Sequence, residues 1–599
     1  MNYKQTWELD RVFPGGIQSE QLQEKLKTIQ EDIHSYQVFL EAWKIGEDSS
    51  AGTLKSVLKK EEEIDKGLEQ TASFVQMCHD SYMDDDHANV VMGQVMELDS
   101  EKQKVSNRFM KKVVAMKDED WKRLLQDEEL KKVSFALEEI RDQGQRLLSE
   151  EEEKLIAELN KDGLAAWSQL YDTIVSVMTL PFTDRDGKTT ELSIGQAMNR
   201  MYADPDSQVR EQLFEQWENA WENDAPLFTD TLNHLTGYRI TLQRAHGRKD
   251  HLEEPLEFNR MSKETLDAMW KAVAANKQPF IDFLNQKANM LGKNQLAWQD
   301  VEAPIAIEES KPIQYTYDEA CDFVISNFSS FGPKLADFAK YALTHRWVEA
   351  EDRPNKRPGG YCTSLPESKE SRIFMTFTGS QTDVNTLAHE LGHAFHSEVM
   401  KDLPELNKQY AMNVAETAST FAETIIGNAA IRQAQTKNDK LALLNAKLEN
   451  ATAMFLNIHA RFLFEDAFYK ERTEGIVSTQ RLNELMTEAQ KEAYEDCLTT
   501  YHPHFWASKL HFFIDDIPFY NFPYTFGYLF SLGIYAKSLE EPDGFEEKYI
   551  ALLRDTGSMT VEQLAERHLN ADLTKQEFWE AGIRLAAKDA ETFIELTAD

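Results

Sequence analysis

From residue 19 onward the apolar residues of this chain return every three or four positions, and that period constrains the fold more than any other feature. Leu22, Leu26, Ile29, Ile33, Tyr36 and Leu40 step in this way behind Ser19, a residue type that caps helix starts. Similar amphipathic stretches with Glu- and Lys-rich outer faces continue to residue 180, resume to residue 345, and return after Asp383 nearly to the end. The class expected is mainly α.

Two interruptions divide the pattern. Leu180-Pro181 is followed by Phe182–Leu192, where Asp186-Gly187 can turn a β-hairpin. A lobe boundary is expected near residue 200, before Tyr202-Ala203-Asp204-Pro205, with residues 1–200 as an N-terminal helical lobe and 201–599 as the second, catalytic part. Residues 351–380 then break character, with Pro354, Pro358, Gly359, Gly360, Pro366 and Gly379, and Ile373–Phe377 reads as a short strand. The sequence shows no internal repeat and no low-complexity linker.

Charge narrows the function. With 65 basic and 103 acidic side chains among 599 residues the formal charge is −38, which repels phosphate backbones and anionic membrane surfaces. Neither nucleic acid nor membrane is therefore expected as a partner. The four cysteines, Cys78, Cys321, Cys362 and Cys497, lie far apart without a CxxC pair, the usage of free thiols in a reducing compartment. The opening MNYKQTWELDRVFPGG lacks an apolar signal core, and the apolar stretch Phe526 to Ala536 is too short to span a bilayer. A cytoplasmic protein of unknown oligomeric state is expected.

Within Thr382–Val399 stands His389-Glu390-Leu391-Gly392-His393, an HExxH motif. Positions i and i+4 share a helix face, so both imidazoles can reach one tetrahedral zinc ion, with Glu390 placed as general base toward water at that ion. Chance gives roughly 0.04 such matches in a chain of this composition. Val384, Leu387, Leu391 and Phe395 form an apolar stripe roughly opposite the histidines, and Asp383 is expected as the N-cap. A metzincin needs Gly at 396 and His at 399, but His396 and Val399 stand there. His396 shares the histidine face, yet its Cα lies about 10.5 Å along the helix from that of His389. It is expected behind the ligands, facing substrate, or in a structural role. The third ligand should come from another helix. Glu416, Ser419, Thr420 and Glu423 line one polar face of a helix after Val414, and geometry leaves Glu416 and Glu423 as rival ligands.

These residues resemble the oligoendopeptidase F family, relatives of thimet oligopeptidase. The resemblance rests on HELGHAFH at 389–396, VAETASTFAE at 414–423 and FYNFPYTFGYLF at 519–530. Trp7-Glu8-Leu9-Asp10 with Phe13-Pro14-Gly15-Gly16, and GGYCTSLP at 359–366, add to it. It is strongest over residues 350–536. It implies a large two-lobed helical bowl with a deep channel and a small β element near the site. It also implies Glu416 as third ligand of a single Zn²⁺, with Glu423 orienting an imidazole, and internal cleavage of short unstructured peptides. Tyr520, Tyr524 and Tyr528 recur every four residues and can face one cleft; packed core is the alternative, and the resemblance implies that such tyrosines donate to the oxyanion. Thimet-type relatives carry a His five residues before the first of them. Here that position is Asp515, and His511 is the candidate replacement.

Ile373–Phe377 is expected as an edge strand that can hold peptide backbone by strand addition, with a plain structural strand as the alternative. Two rival readings remain. A zinc carboxypeptidase or dipeptidyl carboxypeptidase would need a cation for the substrate C-terminus, and Arg353, Lys356 and Arg357 are candidates. A helical peptide-binding scaffold with a vestigial motif would need no turnover at all. No Walker A, GxGxxG or GxSxG pattern supports nucleotide or serine chemistry.

Overall fold

A computed structural model describes residues 2–45, 50–184, 187–305, 307 and 314–598. The N-terminal period becomes α1 (Glu20–Ala42), whose buried residues are the six apolar positions named above. Ser19 occupies its N-cap position but makes no capping bond through its side chain. α2 (Ala51–Ser81) and α3 (Asp86–Val114) pack beside it, and Phe74, Phe109 and Leu137 join the same hydrophobic core.

The hairpin is present as β1 (Thr179–Thr183) paired antiparallel with β2 (Thr189–Ser193). Gly187 carries a φ of 78° in its turn, while Asp186 lies outside the described residues. Alternation along β1 turns Leu180 and Phe182 inward, against α4 (Ser207–Ala245). Residues from Tyr171 to Met201, which sequence reading placed in the first lobe, thereby contribute to the second and larger core.

The 351–380 region forms part of a three-stranded sheet of β3 (Val348–Glu349), β4 (Tyr361–Leu365) and β5 (Glu370–Phe374), in the order β3-β5-β4. β5 runs parallel to β3 and antiparallel to β4. Its period of two sends Ile373 into the larger core and Phe374 into the N-terminal one, where Leu365 also sits and the Trp7 ring lies 5.8 Å from that of Phe374. The sheet thus joins the two cores. It also corrects the expectation of an edge at Ile373–Phe377. β5 ends at Phe374 and is central, so both its hydrogen-bonding sides are taken. The strand that packs on the histidine helix and keeps an open edge among the described residues is β4.

The larger core holds α5 (Gln381–Met400), α6 (Thr417–Gln433), α7 (Lys437–Thr452), α8 (Ile458–Glu474), α9 (Phe522–Glu540), α10 (Phe545–Asp555) and α11 (Gln576–Thr597). A π-helical turn, Ala453–Asn457, joins α7 to α8. α5 packs on α6, α6 on α9, and α9 on α11. The fold is mainly α. Among the described residues, no helix is long and apolar enough to cross a membrane, and the four cysteines are free thiols.

Candidate metal centre

α5 begins earlier than the sequence suggested. Ser380 is its N-cap, accepting from the Asp383 amide at 3.1 Å, while Asp383 Oδ2 accepts from the Ser380 amide at 3.0 Å and from Thr378. Asp383 is therefore the third residue of a capping box rather than the cap, because the hydroxyl one turn back reaches its N–H first. Val384, Leu387, Leu391 and Phe395 are buried as one stripe. The opposite face leaves the His389 and His393 side chains 25% and 20% exposed.

Those two rings converge with one carboxylate. His389 Nε2 and His393 Nε2 lie 3.1 Å apart, and Glu416 Oε2 is 3.3 Å from each. Glu416 does not sit inside a continuous helix. It stands at the break between the short turn Met412–Ala415 and α6, with φ −86° and ψ 5°. Ser419, one turn on, donates its hydroxyl to Glu416 Oε2 at 2.7 Å. Two glycines permit the approach. A Cβ on Gly392 would lie 2.5 Å from the Ala418 carbonyl oxygen, and one on Gly527 of α9 would lie 3.1 Å from Asn413 O and 3.5 Å from Glu416 Cβ. Helix backbones can close on the carboxylate only where side chains are missing.

Glu423, two turns beyond Glu416, hydrogen-bonds His389 Nδ1. With the proton on Nδ1, the Nε2 lone pair faces the cluster. Burial opposes charge on His389, but the bond to Glu423 and the charges of Glu423, Glu416 and Glu390 outweigh it and raise its pKa to about 9. Burial likewise opposes the Glu416 carboxylate, and the bond to His393, the charges of both histidines and Ser419 bring its pKa down to about 2. Glu390 is 5% exposed, and its Oε2 has no hydrogen-bond partner among the described residues. Burial pushes its pKa up against the opposing pull of the two histidines. His396 is not part of this cluster. Its ring stacks on Tyr410 and its Nε2 lies 3.1 Å from Leu553 O and 3.0 Å from Thr556 Oγ1, at the end of α10.

The donor set fits a divalent ion. Zinc–ligand distances of about 2.0–2.1 Å at tetrahedral angles place neighbouring ligand atoms about 3.3 Å apart. His389, His393 and Glu416 are the one such ligand group among the described residues. Three carboxylates around two imidazoles also favour positive charge at the centre.

The sequence matches the profile of Peptidase family M3 over residues 200–585, and that of an Oligopeptidase F domain over 112–179. The chain belongs to peptidase family M3. It is similar to Oligopeptidase PepF of Bacillus subtilis strain 168, with 22% identity over 598 residues, covering 99% of this chain and 87% of the relative. In fold it is similar to a putative peptidase from Chlamydophila abortus, with a TM-score of 0.85 and 19% identity, covering 100% of this chain and 99% of that one. It is also similar to oligoendopeptidase-F from Enterococcus faecium, with a TM-score of 0.68 and 16% identity, covering 96% and 99%.

In this M3 chain a cleft of about 690 Å³ opens beside the cluster, lined by Gly360, His389, Glu390, Glu423 and Tyr528. Tyr528 is buried and packs on Phe455. Tyr520 precedes α9, so the fourfold recurrence is not one helical stripe. Tyr520, Tyr524 and His511 instead form a ring cluster, with centroids 5.7 to 6.0 Å apart. Tyr524 is near enough to Glu416 to feel its charge. Burial, with the nearby charges of Arg461 and Lys509, holds the His511 pKa at about 4, so its ring is neutral at neutral pH. The Asp515 backbone carbonyl accepts from Arg239.

The cations suggested for a substrate terminus in this family member are already engaged. Arg353 pairs with Glu349 and Glu351, and Arg357 with Asp80. The Lys356 ammonium donates to the carbonyls of Glu351 and Met375. Sequence reading missed Ser419 as the group that fixes Glu416, and Gly392 as the residue that admits α6. The i+3 spacing from Glu416 and the glycine inside the motif were the available signals.

Proposed function

We propose that the chain is a zinc-dependent endopeptidase that hydrolyses internal bonds of short, unstructured peptides. The observation that carries this reading is the trio of donor atoms 3.1 to 3.3 Å apart, beside a buried carboxylate with an unpartnered oxygen. His389 Nε2, His393 Nε2 and Glu416 Oε2 would hold one ion. When bound, zinc supplies Lewis acidity, making water acidic near neutral pH and polarising the scissile carbonyl. Glu390 Oε2, which has no other donor among the described residues, takes the proton of the attacking water and returns it to the leaving amine. Glu423 keeps the His389 proton on Nδ1, and Ser419 holds Glu416 in line. Tyr520 and Tyr524 donate hydroxyl hydrogen bonds to the oxyanion, with neutral His511 beside them and Tyr528 shaping the cleft. The open edge of β4, which starts next to Gly360 and Glu390, offers backbone groups to an extended peptide.

The name oligopeptidase of the similar Bacillus subtilis protein supports short peptides as substrate. Four free thiols support action in the cytoplasm. Mass spectrometry of a peptide library digested with and without chelator tests the proposal. Internal cleavage that needs metal and vanishes in Glu390→Gln is expected. Full turnover by metal-loaded Glu390→Gln would remove the general-base role, and cleavage indifferent to chelator would remove the metal.

A further inference from the structure

A bulky residue in left-handed backbone stands directly before Tyr520. Among the described residues other than glycine with a positive φ, Phe519 alone is apolar, at 55°. Pro518 precedes it, and a proline followed by a positive φ is the pattern of a type II turn, which ordinarily takes Gly second. Here the position keeps a ring. Phe519 is buried, its centroid 4.9 Å from that of Tyr469 and 5.6 Å from that of His251. The ring anchors the turn, yet the backbone form is one that an L side chain resists. Such a form persists only where its surroundings over-determine it, and it gathers at functional positions.

The surroundings here are two helices. Residues 513–521 belong to no helix or strand, so their backbone groups need partners from elsewhere. Glu465 of α8, 3% exposed, accepts from the Phe519 amide at 3.1 Å. Arg239 of α4 donates to the carbonyls of Ile514 at 2.7 Å and Asp515 at 2.9 Å, and to the Tyr469 hydroxyl at 2.9 Å. Arg461 of α8 donates to Asn521 Oδ1 at 3.1 Å. Burying a carboxyl to meet one backbone amide is unfavourable by itself. Burial raises the Glu465 pKa to about 8, against the pull of the Phe519 amide and the Arg239 charge, so at neutral pH it is chiefly the uncharged acid.

The turn delivers Tyr520, the next residue, whose ring centroid lies 5.7 Å from that of His511 and 5.8 Å from that of Tyr524. Tyr524 stands one turn before Gly527 on α9, where a Cβ would lie 3.5 Å from Glu416 Cβ. With an ordinary negative φ at 519 the chain would leave the turn in another direction and carry Tyr520 off this wall. We propose that Glu465 is a positioning residue: its hydrogen bond to the Phe519 amide holds the turn left-handed and so sets the Tyr520 hydroxyl beside the metal centre. The chemical use of that hydroxyl rests on the peptidase reading.

Two measurements on zinc-loaded, full-length protein test this: kcat and KM on one quenched fluorescent peptide, and the ¹⁹F spectrum of 3-fluorotyrosine placed at position 520 alone. Glu465→Met keeps the length and removes the acceptor. Its kcat is expected to fall roughly 30- to 100-fold, as for a displaced oxyanion donor, with KM and zinc affinity within about twofold of the parent. Its fluorine line should shift or broaden. Glu465→Gln keeps an acceptor oxygen and should restore both readouts. Because Glu465 acts through Tyr520, Glu465→Met with Tyr520→Phe should be no slower than Tyr520→Phe alone. Losses that multiply mark general structural damage and overturn the proposal. So does an unmoved fluorine line in Glu465→Met, or a Glu465→Gln protein as slow as Glu465→Met. If Glu465→Met does not fold, Glu465→Asp, which draws the acceptor back by one methylene, is judged by the same criteria. The fluorine line needs no turnover. A parent protein that cuts no peptide, while the line still moves in Glu465→Met, therefore removes the peptidase reading and keeps the positioning.

Discussion

The backbone of Gly392 lies so close to that of Ala418 that a methyl group on Gly392 would sit 2.5 Å from the Ala418 carbonyl oxygen. The clash sits between the second histidine's turn and the start of the helix that presents Glu416. Gly392→Ala must push α5 and α6 apart and draw Glu416 Oε2 away from both imidazoles. The expected result is a loss of about 1–3 kcal/mol in stability, as for overpacking, together with at least tenfold weaker zinc binding. Denaturant melts and competition with a chelator measure the two; unaltered metal affinity would show that this contact does not set the carboxylate.

Glu423 reaches the centre only through His389 Nδ1. Removing such a partner typically costs 10- to 100-fold in metal affinity. Glu423→Ala is expected to fall in that range, and Ser419→Ala to cost less, since Ser419 supplies one hydrogen bond to a carboxylate that both histidines already hold. Zinc titration of the apoprotein decides. If Glu423→Ala binds metal normally, the orienting role is gone.

His396 provides a pH signature. Burial chiefly, and the charge of His393, outweigh the hydrogen bond to Leu553 O and lower its pKa to about 3. The unfolded chain takes up a proton near pH 6.5 and the folded chain does not, so this residue's contribution is present above 6.5 and is lost as pH falls toward 3. The loss runs at about 1.4 kcal/mol per pH unit. His396→Gln should be less stable than the parent at pH 7 but fall less steeply between pH 6 and 4. Parallel slopes in urea melts would place the acid sensitivity elsewhere.

Lys509, over the Phe505 ring, predicts a pH-dependent effect on stability. Burial, with Arg461 adding to it against the pull of Glu302, lowers its pKa to about 8. Below pH 8 the folded protein carries the penalty of a charged, half-buried ammonium that makes no ion pair among the described residues. Between 8 and its ordinary 10.5 the folded form sheds the proton first and the penalty fades. Lys509→Met is therefore expected to be more stable than the parent at pH 7, by roughly 1–3 kcal/mol. The gain should shrink above pH 9. A destabilised Lys509→Met at pH 7 contradicts the picture.

Much of this was legible before any coordinates. The three-four period of Leu22 to Leu40 named one face of α1, and Val384, Leu387, Leu391 and Phe395 named the buried face of α5. HExxH placed two imidazoles one turn apart because a helix repeats every 3.6 residues. Other readings failed where a neighbour in space overruled a neighbour in sequence. Asp383 looked like a cap until Ser380 took that position. Ile373–Phe377 looked like an edge until β3 and β4 covered both sides of β5. His396, for which a structural role was one of the expectations, shares the histidine face by arithmetic and packs against α10, because a helix face is wide enough to meet two different partners.

What the sequence alone determined is local: which segments coil, which side of each coil is apolar, and which two histidines share a turn. Backbone sterics and side-chain period act within a few residues, so they can be read in order along the chain. Only the tertiary structure brought Glu416, the ligand that the resemblance implied and local geometry left level with Glu423, to both Nε2 atoms, and only it spent Arg353, Lys356 and Arg357 on neighbours. Those outcomes depend on how closely α5, α6 and α9 approach. Packing sets that distance between residues far apart in sequence, and no local period records it.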